Sequence, residues 1–200
     1  MYDFPQNEKA LEKRISSYRN ALLKEQKQFG YVNDGAGKRY LLFSLYLVLN
    51  NLEQVQYYLS WYENEFSDDV GEPVQMLCWA LILKRLGKNA EARRKLAETM
   101  LSNLYIIPKV LGKEIAAYDI WYSSSDAVIN YFDYMPREVI AALTEAEIQW
   151  ISQEYDSLDF RHFRKRYIEI YDQLQGLKNM DERKKLLAES HTLLDGLDQK

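Results

Sequence analysis

Several residue types are scarce in this chain of 200 residues, and each scarcity excludes a class of protein. The single cysteine rules out an intrachain disulfide and a cysteine-based metal cluster. Two histidines leave little material for a zinc site. The eight glycines and four prolines are too few for the many turns of a β-sandwich or β-barrel. These counts disfavour both metal-centred and β-rich folds.

Long apolar runs are also missing. The longest run, from Tyr40 to Leu49, spans ten residues and includes Ser44, whereas a membrane span needs about 20. Residues 1–8 contain no basic region followed by an apolar core, so no secretory signal is expected. Together with the unpaired cysteine, these features predict a cytoplasmic protein with no membrane partner.

The residues that are present indicate a globular protein. Hydrophobic residues make up 47% of the chain and charged residues 28%, which is typical of a folded soluble domain. The 26 basic and 30 acidic residues give a net charge of −4, so the chain lacks the basic excess of a general nucleic-acid binder. The length predicts a single domain over residues 1–200.

Apolar residues recur at helical spacing almost throughout the chain. The first segment predicts a helix over 7–29, capped by Asn7 and ended by Gly30, and then a loop over 31–37. The spacing further predicts helices at 38–50, 52–66, 73–86, 89–103, 113–122, 125–134, 136–143, 145–155, 159–175 and 181–195. Thr144, Asp159 and Asp181 are the N-caps expected for the last three. No alternating strand pattern competes with these helices, so the predicted fold class is all-α, built of antiparallel helix pairs.

Residues 73–104 carry a recognisable pattern of small and large side chains. Ala80 stands in the first helix, Gly87 in the turn, and Ala92 and Leu96 in the second helix. This segment resembles a tetratricopeptide repeat, a helix–turn–helix unit in which small residues let the two helices approach closely. Thr99 and Leu104 depart from the family pattern, where a small residue and a proline are expected.

A weaker copy of the same pattern lies upstream at an offset of 37 residues. There Leu42, Val55 and Leu59 correspond to the later Trp79, Ala92 and Leu96, while Phe43 stands where a small residue is expected. The resemblance covers residues 38–104, about a third of the chain. It implies an α-solenoid resembling tetratricopeptide repeats, with additional C-terminal helices over 105–200 that pack on the repeats.

The resemblance also implies a function. Stacked repeats present a concave groove that binds a protein or peptide, so the chain is expected to be a non-enzymatic scaffold. The exposed side of the first helix of each pair is mostly apolar, with a basic end, and consists of Tyr40, Ser44, Leu47, Leu77, Leu81, Lys84 and Arg85. An apolar groove has to be covered, either by the C-terminal helices in a self-capped regulatory module, by a second subunit in a homodimer, or by a target helix.

One basic segment offers an alternative function. Arg161, Arg164, Lys165 and Arg166 in helix 159–175 could contact RNA or another polyanion. The competing interpretation is a solvated helix face, in which Lys165 and Arg166 pair with Glu169 at helical spacing. The acidic balance of the whole chain favours this second interpretation, so nucleic acid is not the expected partner.

No other motif indicates chemistry. The stretch Gly35–Lys38 resembles the end of a phosphate-binding loop, but Val32 and Arg39 stand where that motif needs other residues, so a plain loop is expected. Cys78 lies in an apolar helix without a candidate base and is expected to be a buried structural thiol. The aromatic run between Tyr118 and Tyr134 is interpreted as core and interface anchors rather than as a ligand pocket. The sequence therefore predicts no catalytic residue, cofactor or metal.

Overall fold

The computed structural model describes residues 4–197, and all the regular elements within that range are helices, which confirms the all-α prediction. Residues 1–3, part of the stretch assessed for a secretory signal, lie outside the described residues. The α-helices are α1 (Glu8–Phe29), α2 (Lys38–Leu49), α3 (Leu52–Glu65), α4 (Pro73–Arg85), α5 (Asn89–Ser102), α6 (Ile106–Val110), α7 (Arg137–Ala141), α8 (Glu145–Tyr155), α9 (Leu158–Gly176) and α10 (Met180–Thr192). Short 3-10 helices occupy Ser125–Ala127, Ile129–Tyr134 and Leu193–Gly196. None of the helices in this range is long and apolar enough to cross a membrane.

Several helix ends follow directly from local chemistry. The Asn7 side chain accepts a hydrogen bond from the Ala10 backbone N–H at 2.9 Å, as predicted for an N-cap. Gly30 ends α1 with a φ of 77°, a left-handed conformation that suits glycine. Thr144 and Glu147 form the predicted reciprocal capping box of α8.

Two of the predicted caps are wrong by two residues. Ser157 rather than Asp159 caps α9, and Asn179 rather than Asp181 caps α10. In both cases a second small polar residue precedes the aspartate, and the helix begins at the earlier one. Asp159 instead accepts a hydrogen bond from Arg93 at 3.0 Å.

Helices α4 and α5 form a closely packed pair. Ala80 on α4 and Ala92 and Ala97 on α5 are completely buried. Because these positions carry only a methyl group, the two backbones can approach along their whole length. The short turn at Gly87 makes the two helices antiparallel.

Helices α2 and α3 are arranged differently. Aromatic rings fill the space between them, and few backbone positions of the two helices approach closely. The Phe43 ring lies 5.4 Å from that of Tyr58 and 5.0 Å from that of Tyr62, edge to face in both cases. Helix α2 packs more extensively against α1 and α4 than against α3.

The centre of the molecule is formed by α2 and α4. Six consecutive residues of α2, from Leu42 to Leu47, are buried, and so is nearly all of α4. A helix that is apolar on every side belongs inside a protein rather than at its surface. Val139 of α7, Ile151 of α8 and Phe160 of α9 belong to the same core cluster. The C-terminal half of the chain therefore helps to enclose the two central helices.

The predicted helix at 113–122 is wrong. The segment between α6 and the first 3-10 helix is irregular and lies across α9. The Tyr118 N–H donates to the Tyr105 hydroxyl at 2.8 Å, and the Trp121 N–H donates to the Tyr171 carbonyl at 3.1 Å. Tertiary partners thus take donors that a helix would use internally. A second, smaller core forms beneath this segment from Leu104, Tyr105, Ile120, Ile170, Tyr171 and Leu174.

The neighbouring predictions are correct only in part. The predicted helix at 125–134 is two short 3-10 helices separated by Val128, and the one at 136–143 contracts to Arg137–Ala141. A further short helix, Ile106–Val110, lies between the predicted helices 89–103 and 113–122, where the sequence predicted none, and it contains Pro108. The proline falls in the first turn of that helix, where a missing N–H is tolerated.

Candidate functional site

The apolar part of the predicted groove is not exposed. Leu77 and Leu81 have no exposed surface, Leu47 is 1% exposed, and Ser44 is 3% exposed and lies 3.6 Å from the Cys78 sulfur. The expectation that these side chains line an open surface is corrected by their burial. A single-helix pattern treats one side of each helix as outward, whereas α2 and α4 are surrounded on every side.

Tyr40 belongs to a hydrogen-bonded network at the start of α2. Its hydroxyl donates to an Asp69 carboxylate oxygen at 2.7 Å and accepts from the Arg39 guanidinium at 2.6 Å. Burial and the neighbouring Asp69 carboxylate raise the pKa of Tyr40 to about 12. The hydroxyl is therefore neutral near pH 7, and the network fixes the loop before α4 rather than offering a titrating group.

Asp69 is the centre of that network. Besides Tyr40, its carboxylate accepts hydrogen bonds from the Arg39 side chain at 2.7 Å, the Tyr62 hydroxyl at 3.0 Å and the Gly71 N–H at 3.0 Å. Burial alone would raise the pKa of Asp69, but these donors outweigh it and hold that pKa below its ordinary value. Every acceptor position of the carboxylate is used within the fold.

The basic end of the predicted groove is the part that stays open. Lys84 and Arg85, at the end of α4, line a surface cleft together with the end of α2 and the start of α8. We call this feature the end cleft. It is lined by Leu47, Val48, Asn50, Leu52, Lys84, Arg85, Ala142, Thr144, Ala146 and Glu147.

Arg85 holds the end cleft together. Its Nε and one terminal nitrogen bind the two oxygens of Glu147 at 2.7 and 3.1 Å. The other terminal nitrogen donates to the Leu47 carbonyl at 2.7 Å and to Asn50 at 3.0 Å. A last bond reaches the Ala142 carbonyl at 2.8 Å. All five N–H donors of the guanidinium are used, so Arg85 joins α2, α4, α7 and α8.

Glu147 is the carboxylate partner of Arg85 and is itself buried. Burial alone would raise its pKa, but hydrogen bonds from Arg85 and Thr144 keep the pKa of Glu147 below its ordinary value. It therefore stays ionised near neutral pH and neutralises Arg85. The pair is a structural clamp rather than an acid–base pair.

The rim of the end cleft presents hydrogen-bond donors. Because Arg85 can only donate, its bond to Asn50 fixes the amide oxygen of Asn50 inward and leaves the NH₂ group available. Lys84 donates to the neutral Asn89 side chain at 2.8 Å, and its ammonium lies 5.0 Å from the centre of the Trp150 ring. Neither partner neutralises the charge of Lys84.

The basic residues of α9 are mostly bound within the fold. Arg166 binds both oxygens of Glu189 at 2.6 and 2.8 Å, and Lys165 lies 3.8 Å from Glu169. Arg164 stacks over the Tyr155 ring at 3.9 Å and donates to the Tyr155 carbonyl. Arg161 is exposed and donates to the Ser157 carbonyl of its own helix at 3.4 Å.

The remaining candidates have structural partners. Cys78 is fully buried, and burial raises the pKa of its thiol to about 12, which removes thiolate reactivity at neutral pH. In the loop before α2, the Asp34 carboxylate takes the Lys38 and Arg39 N–H groups, so no phosphate is needed there. Within residues 4–197 we find no group of three or more histidine, cysteine, aspartate or glutamate residues placed to hold a metal.

Most of the aromatic run packs against the core, but Tyr134 at its end is 81% exposed. Trp121 stacks on Tyr171 with ring centres 5.8 Å apart. The Tyr122 hydroxyl donates to the Tyr118 carbonyl, so the Tyr105 hydroxyl donates to Tyr122. These polar ends are satisfied by one another, as buried tyrosines require.

Sequence reasoning missed the α8 side of the end cleft, and of the α2 side it identified only Leu47. The capping box of Thr144 and Glu147 was recognisable, but no local signal connects Glu147 with Arg85, 62 residues earlier in the chain. No protein-family model, curated protein or solved structure matches this chain. The arrangement of its own residues is therefore the basis for assigning a function.

Proposed function

We propose that this chain is a non-enzymatic helical scaffold that binds a peptide segment of a partner protein in the end cleft. The observation that carries the proposal is the combination of a rigid frame and an apolar floor. Arg85 fixes four helices around the cleft, while Val48, Leu52 and Ala146 face it. Preorganised clefts of this kind bind without the cost of ordering their own walls.

The resemblance of residues 38–104 to tetratricopeptide repeats supports the same role. In that family the helix pairs serve as binding scaffolds, and here Ala80 and Ala92 of the pair α4–α5 are fully buried small residues, while Thr99 departs from the pattern. The interaction surface we propose differs from the expected one. It lies at the ends of α2 and α4 rather than along their buried sides.

The test is a selection of binding peptides from a random library, followed by affinity measurements on matched variants. Ala146 is exposed on α8 and lines the end cleft, so Ala146→Arg should fill the cleft without disturbing the core. Gln153→Arg changes an exposed position of the same helix away from the cleft. We expect selected peptides to lose at least about tenfold in affinity for Ala146→Arg, which is about 1.4 kcal/mol, and nothing for Gln153→Arg.

Equal binding to both variants and the unaltered chain would contradict the end cleft as the binding surface. Selection of no peptide at all under conditions where a known peptide-binding control succeeds would contradict peptide binding itself. Replacing Leu77 and Leu81 by glutamate is not a useful test, because both are fully buried and the change would unfold the protein.

A self-capped regulatory module is the second candidate. It is favoured by the enclosure of α2 and α4, to which Val139 of α7 contributes a fully buried side chain. In that case a partner would displace the C-terminal region, and Val139→Ala, which loosens it, should tighten partner binding. Unchanged binding by Val139→Ala would favour the rigid end cleft instead.

A further inference from the structure

One side of helix α1 is exposed and carries several lysines. Positions 9, 13, 16, 20, 23 and 27 are separated alternately by four and three residues, so they follow one side of the helix. All six are exposed, and the opposite side, with Leu11, Ile15 and Leu22, is buried. Three of the six positions are lysines, Lys9, Lys13 and Lys27, and the exposed Lys24 lies beside them, one turn before Lys27. We call these four residues the lysine line. It runs along about 27 Å of helix.

The lysine line lacks charge partners. Its four ammonium groups make no ion pair or hydrogen bond with any of residues 4–197. The carboxylate of Glu25 is turned away and accepts from the Asn33 and Asp34 N–H groups at 3.2 and 3.1 Å. Glu8 and Glu12 lie along the edge of the line. In a protein of net charge −4, four lysines and two glutamates thus leave this side of α1 with an excess of positive charge.

We propose that the lysine line docks the protein reversibly on an anionic lipid surface. The exposed side belongs to a helix of 22 residues, and its length suits a flat bilayer surface. Leu23 is 42% exposed on the same side, and Phe29 and Tyr31 at its end are 57% and 62% exposed, with ring centres 6.4 Å apart. Basic residues beside aromatic and leucine side chains are typical of segments that rest at a lipid interface.

The contact is peripheral. The apolar side of α1 is used in the protein core, so it cannot enter the bilayer, and attraction between charges has to supply most of the affinity. This proposal goes beyond the scaffold function, concerns a different surface, and replaces the sequence expectation of no membrane partner.

Two other polyanionic partners fit less well. A protein interface buries its centre, where lysine is depleted, whereas fluid headgroups leave lysine side chains their freedom. Nucleic-acid interfaces rely on arginine and stacking aromatics, but Arg14 and Arg19 of α1 lie off the line. The rest of the molecule is negatively charged, so it repels a nucleic-acid duplex that extends around the protein. It repels a flat surface less, because salt screens charges beyond about 8 Å.

The experiment is co-sedimentation with vesicles. The probes are phosphatidylcholine vesicles with one quarter phosphatidylserine and vesicles of phosphatidylcholine alone, each at about 50 mM and 300 mM salt. One variant changes Lys9, Lys13, Lys24 and Lys27 to glutamine. The matched control changes four exposed lysines elsewhere to glutamine, at positions 109, 178, 184 and 185.

The unaltered chain should bind the anionic vesicles at low salt and not the neutral ones. Each lysine should contribute about fivefold to partitioning, so the variant in the line should lose several hundred-fold. The control variant should lose much less of its partitioning to anionic vesicles, although its net charge equals that of the variant in the lysine line. Circular dichroism should show that both variants keep their helices.

Three results would overturn the proposal. They are an absence of binding to anionic vesicles at low salt, an equal loss in both lysine variants, and tighter binding to an RNA duplex than to the vesicles at equal salt. Ala146→Arg should bind vesicles normally, so failure of the end cleft would be distinguished from failure of the lysine line.

Discussion

The two helix pairs of the N-terminal half follow one sequence layout but pack in two ways. Helices α4 and α5 come into close contact across Ala80, Ala92 and Ala97, all fully buried. Helices α2 and α3 are held apart by the rings of Phe43 and its neighbours. Phe43 stands where the resemblance expects a small residue, and aromatic rings rather than backbones meet between these two helices. A resemblance in helix spacing does not by itself determine how a pair closes.

The difference has a consequence for the rest of the fold. Because α2 does not pack closely on α3, its other sides contact α1, α4 and α7. The helix becomes a central element instead of one wall of a concave groove. The same enclosure leaves the ends of α2 and α4 as the accessible part of the predicted surface.

The largest expected effect comes from removing the ring that separates α2 and α3. Phe43→Ala should lower the free energy of unfolding by about 3–5 kcal/mol, because a fully buried aromatic ring leaves a cavity. Urea unfolding measures the change. Tyr57→Ala, at an exposed position of α3, is the control and should cost under about 0.5 kcal/mol. A cost below about 1 kcal/mol for Phe43→Ala would mean that the rings do not support the pair.

The next largest effect is expected from breaking the ion pair between Arg85 and Glu147, which connects α2 and α4 to the C-terminal half. Arg85→Gln should cost about 3 kcal/mol, because it leaves the buried Glu147 carboxylate without its cation. The same urea measurement applies, with Arg161→Gln at an exposed position of α9 as control. If both variants were equally stable, Arg85 would not be the clamp of the end cleft.

A larger side chain at the interface of α4 and α5 tests how closely these two helices pack. Ala80→Val should destabilise the protein by about 2 kcal/mol, because two added methyl groups have no space between α4 and α5. Ala90→Val at an exposed position of α5 controls for the lower helix propensity of valine. Equal costs at the two positions would show that α4 and α5 do not approach as closely as described.

The smallest expected effect is the loss of the hydrogen bonds to the Asp69 carboxylate, by substitution or by acid. Asp69→Asn should cost about 1.5 kcal/mol at pH 7, because the carboxylate accepts charge-assisted hydrogen bonds from the loop before α4 and from α2 and α3. The pKa of Asp69 is lowered in the folded protein, so its stabilisation is present above its ordinary pKa of 3.8 and is lost as the pH falls through the lower folded value. Hydrogen exchange in acid should therefore show α2 and α3 opening before α4 and α5. Simultaneous opening of both helix pairs at every pH would show that α2 and α3 are not more sensitive to acid than α4 and α5.

Much of the fold could be predicted from local patterns. The spacing of apolar residues and caps such as Asn7 and Thr144 locate the helices up to residue 104 and the start of α8. The helix predicted at 113–122 failed because Tyr118 and Trp121 find hydrogen-bond partners in other elements. Such partners are distant in sequence and leave no local signal.

The candidate site was less predictable for a related reason. Lys84 and Arg85 were identified, but Arg85 was taken as a free basic end, whereas it is used completely by α2, α7 and α8. One signal was available for the burial of the groove residues. The run from Leu41 to Leu49 contains only Ser44 as a clearly polar residue, which is typical of a helix enclosed on every side.

The reactivity of Cys78 tests most directly the claim that α2 and α4 are enclosed. This cysteine is the only one in the chain, is fully buried on α4 and lies beside Ser44 of α2, so a thiol reagent measures access to that interface without any substitution. We predict that labelling requires unfolding, so that its rate rises with urea as steeply as the unfolding equilibrium does. A labelling rate that is independent of urea and close to that of a free thiol would show that the interface between α2 and α4 opens in the native protein. That result would contradict the enclosure of these two helices.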